Sequence, residues 1–240
     1  MKKAAAYLRL TFATAIVLFL ASCEFRGVEG SGNVTTENRP VTGDFTSIDA
    51  SHGLDIIVEQ SDKLSITVEA DDNVQPHIKT KIENGVLIIT SNINSYSNAT
   101  KTITVQLPVI HNLEVSSGAS LKSRNTLKSK AIYVKSSSGS EADVTIEAEK
   151  ATCETSSGGN INIDGKAISL EAAASSGSVL DAERLLSNDV IASGSSGSSI
   201  DVHPLLSLNA DASSGSNINY HNTPKSLKKN ANSGGNISQE

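Results

Sequence analysis

Apolar and polar residues alternate in short runs along this chain, and the runs recur at a nearly fixed interval. Asn160–Ile163, Ser199–Val202 and Asn217–Tyr220 all alternate in this way. Alternation with a period of two predicts a strand with one buried and one exposed face. A second alternating run, such as Ile168–Leu170 or Leu208–Ala212, follows in each repeat. We therefore predict two short strands per repeat.

Ser-Ser-Gly triplets mark the interval between repeats. Six triplets and the variant Asn232-Ser233-Gly234 place glycines 21, 19, 19, 20, 18 and 19 residues apart, at Gly118, Gly139, Gly158, Gly177, Gly197, Gly215 and Gly234. A period of about 20 residues is typical of stacked coils, each of which buries its apolar face only against its neighbours. The sequence predicts an all-β fold, a right-handed parallel β-helix or solenoid with coils of about 19 residues. The six-residue sub-period of hexapeptide helices is absent, and Gly158–Asp164 is a single partial echo of calcium-binding nonapeptides.

The triplets predict the same corner in every coil. Glycine supplies a positive φ or room for close approach, and the serines before it can bond to local backbone and continue as a ladder between coils. Alanine is frequent just before the triplets, as in Ala172–Ala174 and Ala210–Ala212. We expect a narrow interior there.

The chain before the triplets predicts a less regular N-terminal β lobe over residues 41–112, which closes one end of the repeat lobe at 113–237. Glu83–Val86 is a hairpin turn signal, and Ser51–Gly53 resembles a degenerate first triplet. The two lobes form one domain. The predicted strands are Phe45–Ala50, Leu54–Gln60, Leu64–Ala70, Ile78–Glu83, Val86–Ser91 and Lys101–Leu107.

Residues 1–22 resemble a bacterial lipoprotein signal peptide, with a basic start and a short apolar run. Leu20–Cys23 resembles a lipobox, which implies lipid attachment to Cys23 and membrane anchorage; an ordinary secretory signal with a chance cysteine is the alternative. Residues 23–40 read as a tether. Glu24 follows the cysteine, so an aspartate-based inner-membrane retention signal is lacking. We expect an outer-membrane lipoprotein that faces the periplasm or the cell surface.

Net charge and cysteine content narrow the possible partners. Without residues 1–22 the chain keeps 17 basic and 26 acidic side chains, a formal charge of −9. It has no cluster of basic residues beyond Lys228-Lys229, so nucleic acid is an unsuitable partner. Cys153, the other cysteine, is predicted to be a buried apolar residue rather than a reactive thiol.

Polar residues of the alternating runs are the candidate ligand-facing side chains: Asn160, Asn162, Asp164, Asp181, Asp201, Asn217 and Asn219. The three aspartates fall at similar phases of successive repeats and could stack as an acidic row. Such a row is a turn feature, a weak site for a divalent cation, or a catalytic carboxylate set. We favour the turn feature. We predict no catalytic residue, metal or cofactor, because the serines repeat without a histidine and the five histidines share no ligand spacing.

The order of these features resembles the putative auto-transporter adhesin head GIN domain family, lipoproteins mostly of Bacteroidetes. The resemblance rests on the lipobox, the strand-rich entry, the Leu107-Pro108 junction, the repeated corners and the closing Tyr220–Pro224 segment, and it spans Phe45 to Ile237. It implies a β-helical fold and no established catalytic residues.

Three classes of function remain open. The first is an adhesin-like binding module that presents polar solenoid faces to a glycan or a surface protein. The second is a structural or assembly role, in which open sheet edges dock onto another copy to form an oligomer. The third, a polysaccharide-acting enzyme, is the least favoured, and we expect the chain not to be an enzyme.

Overall fold

The computed structural model describes residues 27–240, and strands make up most of that range. The N-terminal part contains β1 (Gly27–Glu29), β2 (Val34–Arg39), β3 (Ser47–Ala50), β4 (Asp55–Gln60), β5 (Ser65–Asp71), β6 (Ile78–Glu83), β7 (Val86–Ser91), β8 (Ser95–Ser97) and β9 (Lys101–Leu107). The six strands predicted for this part match β3 to β7 and β9, with ends that differ by two residues at most. The predicted signal peptide and Cys23 lie outside the described residues.

The repeat region continues with longer strands. They are β10 (Asn112–Val115), β11 (Ser120–Ser123), β12 (Leu127–Ser137), β13 (Glu141–Ser156), β14 (Asn160–Ala174), β15 (Val179–Gly194), β16 (Ser199–Ala212), β17 (Asn217–Tyr220), β18 (Ser226–Ala231) and β19 (Asn236–Gln239). They stack in parallel, and the coils repeat about every 19 residues over about seven turns. The predicted all-β parallel solenoid is confirmed.

Each regular coil is one bent strand rather than two separate ones. In β14 the residues Ile161 and Ile163 are buried on the first arm, and Leu170 and Ala172 are buried on the second. The alternation changes phase between Ala167 and Leu170, so the strand bends there. The prediction of two short strands per repeat was therefore wrong in one respect. The backbone hydrogen bonds to the neighbouring coil continue through the bend, so pairing is nearly continuous from corner to corner.

The triplets are type I′ turns between successive coils. Ser176 and Gly177 have φ values of 56° and 68°, and the same pair of positive values recurs at every triplet. A type I′ turn needs positive φ at both central residues. The sequence predicted this conformation for the glycine alone, whereas the second serine shares it. His52 and Gly53, at 64° and 66°, confirm that the corner motif begins at the degenerate triplet.

The residue after the glycine carries the local hydrogen bonds that were predicted for the serines before it. Ser178 is buried, and its Oγ accepts the Ser175 N–H at 3.1 Å and lies 2.7 Å from the Ser175 carbonyl oxygen. It also lies 3.0 Å from the carbonyl oxygen of Thr155 in the preceding coil. Ser140, Ser198 and Ser216 occupy the same position and are buried too. A buried hydroxyl with backbone partners on two coils stabilises both the turn and the stack.

The coils do not stack strictly in chain order at the N-terminal end. Strand β3 pairs in parallel with β7 on one side and β10 on the other, and β4 pairs with β9 and β11 in the same way. The coil of β3 and β4 is therefore enclosed between two coils that come later in the sequence. The chain crosses from β9 to β10 through the segment at Pro108.

Antiparallel strands close this end of the stack. Strand β6 pairs with β7, β5 pairs with β9, and β2 pairs with β5, all antiparallel. This arrangement supports the predicted closing role of the N-terminal lobe. The predicted tether is wrong for residues 27–40, which the structure describes. There β1 pairs with β8, and β2 pairs with β5 in the sheet.

The C-terminal end of the stack is more exposed. Within residues 27–240, β18 pairs only with β16 and β19 pairs only with β17, so each leaves one edge free. Every residue of β18 is exposed. Lys228 and Lys229 lie on this strand, and edge lysines discourage sheet-to-sheet aggregation.

One apolar core runs from Phe45 in the N-terminal lobe to Tyr220 near the C-terminal end. Cys153 is fully buried in it, as predicted, and burial raises the pKa of its thiol to about 12. The narrow interior beside the corners is also confirmed: Ala174, Gly194 and Ala212 face inward in register on successive coils. The described chain contains no helix of the length and apolarity that a membrane crossing requires.

Candidate functional site

In-register stacking places five polar residues of successive coils side by side on the outer face of the first arm. We call Asp143, Asn162, Asp181, Asp201 and Asn219 the polar row. Each residue pairs in register with the next. Adjacent strands of a sheet lie about 4.8 Å apart, so the row presents an amide or a carboxylate at that interval.

Side-chain contacts order the ends of the polar row. Asn219 Nδ2 donates to Asp201 Oδ1 at 3.0 Å, and Ser238 Oγ donates to Asn219 Oδ1 at 2.9 Å. At the other end, Lys122 Nζ lies 3.8 Å from Asp143 Oδ2. In the centre, Asp181 Oδ1 accepts the backbone N–H of Glu183 at 3.0 Å, and within residues 27–240 the other oxygen of Asp181 makes no such bond. The centre of the row therefore keeps acceptors for a ligand.

Asn160 and Asn217 lie in the adjacent row, two residues closer to the corner. Their register runs Asn160, Val179, Ser199 and Asn217, so an exposed valine interrupts the polar side chains. The Asn160 Oδ1 atom is buried without a hydrogen-bond partner among the described residues. These two candidates flank the polar row rather than extend it.

Asp164 does not stack with Asp181 and Asp201, which corrects the predicted acidic row. It pairs in register with Thr145, and its Oδ1 accepts a hydrogen bond from Arg184 Nε at 3.0 Å. Asn162 stands opposite Asp181 instead, because it lies the same six residues after the first serine of its triplet. Asp164 lies two residues farther along the arm. The distance of each residue from the first serine of its triplet gives this register and also places Asp143 in the row, a residue that was not among the predicted candidates.

A cluster of ionisable side chains around His221, which the sequence did not predict, lies where the polar row meets the last coils. His221 follows β17, and its side chain is 16% exposed. Its Nε2 lies 3.6 Å from Asp201 Oδ1, and its Nδ1 lies 3.8 Å from Glu183 Oε1. Glu240 completes the group, because one ligand atom from each of Asp201, His221 and Glu240 lies within 4.8 Å of the others. No regular His spacing predicts this cluster, since its members come from three different coils.

A shallow groove of about 510 Å³ lies along the bends of the coils. Its apolar lining includes Ile168, Leu186 and Leu205, of which Ile168 is 54% exposed. Lys166 and Glu147 stand at its rim with their charged atoms 3.1 Å apart. The hydrogen bond and the charge of Lys166 lower the pKa of Glu147 below its ordinary value. The groove is therefore apolar at its base and zwitterionic at one rim.

Comparisons with known proteins extend the geometric findings. Comparison with curated proteins found no match. Among solved structures, a putative adhesin from Bacteroides fragilis has a TM-score of 0.83 at 19% identity and covers 89% of this chain and 100% of its own. A protein from Parabacteroides distasonis described as a putative lipid binding protein has a TM-score of 0.72 at 18% identity, with 90% and 100% covered. A putative adhesin from Parabacteroides merdae has a TM-score of 0.66 at 18% identity, with 90% and 99% covered.

These likenesses show a shared fold. The family assignment comes from the sequence itself, because the family described as "Putative auto-transporter adhesin, head GIN domain" matches residues 44–224. That range contains β3 to β17 and therefore the whole polar row. The chain belongs to the head GIN domain family of putative auto-transporter adhesins.

Proposed function

We propose that this chain is a lipid-anchored, adhesin-like binding module of the bacterial outer membrane, which holds an extended polar ligand along the polar row. The observation that carries the proposal is the exact register of the row, which repeats an amide or carboxylate over five coils. Attachment through the thiol of Cys23 would place the module at the periplasmic side of the outer membrane or at the cell surface.

The dimensions of the row suit a polymer. Five positions at about 4.8 Å span about 19 Å, which is long enough for several units of a glycan or an extended peptide. Amides offer donors and acceptors, and carboxylates offer acceptors, so a ligand rich in hydroxyl or N–H groups is favoured. A polyanion is disfavoured, because the chain without residues 1–22 carries a formal charge of −9.

The test is a binding screen with the chain that lacks residues 1–23. It covers glycans, matrix proteins and envelope polymers, each with and without calcium. We expect a saturable partner, whose affinity falls about tenfold in the double variant Asn162→Ala/Asp181→Ala, which corresponds to about 1.4 kcal/mol. The matched control is Thr152→Ala/Asn209→Ala, since both of these residues face outward on the second arm. Equal losses in the two double variants would show that the polar row is not the binding face.

An assembly role is the outcome to expect if no partner binds. The free edges of β18 and β19 favour it, because a row of unpaired N–H and C=O groups is a template for another strand. Light scattering separates the two functions. If the molar mass rises with protein concentration and the screen finds no partner, the assembly role is favoured over the binding role.

A second candidate function is binding of an acyl chain in the groove at the coil bends. The specific observation is the group of apolar side chains at Ile168, Leu186 and Leu205, of which the first two are exposed, together with the structural relative described as a putative lipid binding protein. A fluorescent fatty acid should then bind the chain that lacks residues 1–23, and Ile168→Ser/Leu186→Ser should abolish the signal. Binding that survives this double variant would exclude the groove.

A further inference from the structure

The last three coils bring three metal-binding side chains together at one end of the polar row. Asp201 belongs to β16, His221 follows β17, and Glu240 follows β19. Backbone hydrogen bonds fix the two later residues, since the His221 N–H donates to the Val202 carbonyl at 3.0 Å and the Glu240 N–H donates to the Tyr220 carbonyl at 3.2 Å. The convergence therefore follows from the sheet ladder and not from a surface loop.

The imidazole of His221 has an unused nitrogen that points into this group. Its Nε2 is buried and has no hydrogen-bond partner within residues 27–240. The nearest carboxylate oxygen in its ion-pair contacts, Asp201 Oδ1, is 3.6 Å away, which is too far for a hydrogen bond. A buried polar atom without a partner is costly, and such an atom in a native structure calls for an unplaced ion or water.

The surrounding groups resemble the arrangement of a metal-bound histidine. Its other nitrogen, Nδ1, lies 3.8 Å from Glu183 Oε1, a contact that must shorten to become a hydrogen bond. Histidines that bind a metal through one nitrogen commonly direct the other N–H at a carboxylate, which orients the ring. Asp201 Oδ1 lies 3.6 Å from Nε2, and one ligand atom from each of Asp201, His221 and Glu240 lies within 4.8 Å of the other two. Glu240 is exposed and can move closer without disturbing the core.

We infer that Asp201, His221 Nε2 and Glu240 form a binding site for one divalent transition-metal ion of the Zn²⁺ type, with Glu183 as the orienting carboxylate. One imidazole and two carboxylates suit Zn²⁺ and leave its fourth position for water or a further ligand. Ca²⁺ is disfavoured, because it requires six to eight oxygen ligands and binds imidazole poorly. The inference does not rest on the proposed function, although Asp201 belongs to the polar row.

The experiment is a titration of the tag-free chain that lacks residues 1–23, after treatment with EDTA, with Zn²⁺ and separately with Ca²⁺. We expect one Zn²⁺ per chain by calorimetry, no comparable heat with Ca²⁺, and visible absorption of Co²⁺ bound in place of Zn²⁺. At a free Zn²⁺ concentration 100 times the dissociation constant, stabilisation of the fold amounts to about 2.7 kcal/mol. Thermal unfolding with and without the ion should show this stabilisation.

Variants separate this site from nonspecific binding. His221→Ala and the closer isostere His221→Gln should each weaken Zn²⁺ binding at least about 30-fold, because loss of a ligand should cost no less than the roughly 10- to 100-fold that loss of its hydrogen-bond partner costs. His203→Ala is the matched control, since His203 lies one coil away and its Nδ1 contacts the Glu183 carbonyl oxygen at 3.1 Å. Zn²⁺ binding that is absent, unchanged in both His221 variants, or equally weakened in His203→Ala would overturn the proposal.

Discussion

Gly158 donates its backbone N–H to the carbonyl oxygen of Ser176, one coil farther on, at 3.2 Å. The same bond joins each triplet glycine to the second serine of the next triplet, from Gly53 to Ser117 through Gly215 to Ser233. The ladder predicted for the corners thus exists, but backbone groups form it. It depends on the left-handed conformation of the serine, which turns the carbonyl toward the neighbouring coil.

Substitution of Ser176 tests that conformation. Valine strongly disfavours a positive φ, so Ser176→Val should lower the free energy of unfolding by about 2 kcal/mol. Ser176→Asn should leave it unchanged or raise it by a few tenths of a kcal/mol, because Asn-Gly is the preferred pair of a type I′ turn. Urea unfolding followed by circular dichroism measures both. Ser193→Val, at an exposed strand position, is the control and should cost little. A harmless Ser176→Val would argue against the turn type.

The buried hydroxyl of Ser178 tests the closure of the corner. Ser178→Ala leaves the Ser175 N–H without the Oγ acceptor that lies 3.1 Å away. We expect a loss of about 1 to 3 kcal/mol in unfolding free energy, which is the range for an unsatisfied buried group. Alanine fits the site sterically, because Ala119 occupies this position in another coil and is buried there. Ser169→Ala, which removes a long 3.4 Å bond, provides the comparison. Similar stabilities of the two variants would contradict the assignment.

The thiol of Cys153 should make stability depend on alkaline pH. Burial raises its pKa to about 12 in the folded chain, against an ordinary value of 9.0. The unfolded chain therefore loses the proton first as pH rises, so this contribution to stability is complete below pH 9 and is lost between pH 9 and about 12. At pH 10 the loss is about 1 to 2 kcal/mol.

Urea unfolding of the wild type and Cys153→Ala at several pH values between 7 and 10 isolates this effect. The alanine variant should be less stable at pH 7, because it leaves a small cavity. The difference between the two proteins should shrink above pH 9. Parallel pH profiles would show that the thiol does not titrate in this way.

Gly165 should tolerate substitution less well than a triplet glycine. It has a φ of 113°, and a Cβ there would collide with the carbonyl oxygen of Ile146. Gly165→Ala should cost at least about 3 kcal/mol or prevent folding. Gly177→Ala is the matched control, because its φ is 68° and no atom lies within 4 Å of the added Cβ; it should cost about 1 kcal/mol. Thermal unfolding compares the two, and equal costs would show that the backbone at Gly165 can relax.

The regular part of the fold could be predicted from sequence because each coil repeats the same local signals. Alternation and Ser-Ser-Gly spacing are local, so the strands, the corners and the burial of Cys153 followed from them. The register of the polar row could also have been predicted, since Asn162 and Asp181 lie equally far from their triplets. The cluster at His221 could not be predicted from the sequence, because its geometry depends on the path of the last coils. The strands β1 and β2 in the predicted tether were missed because Gly-Val-Glu and Val-Thr-Thr-Glu-Asn-Arg lack apolar alternation; β2 pairs with β5 through its backbone.

The enclosed coil of β3 and β4 has a consequence for how the protein acquires its structure. Asp55 and Ser120, which hydrogen-bond across the first junction, are 65 residues apart, whereas Asp211 and Asn230, on later coils, are 19 apart. Closing long loops is slow, so we expect the first three coils to assemble together in a rate-limiting nucleus. Each later coil can then add to the growing end by a local step. Shortening the chain from its C-terminus should therefore remove coils one at a time, whereas deleting β3 and β4 would eliminate the seed on which all the others grow.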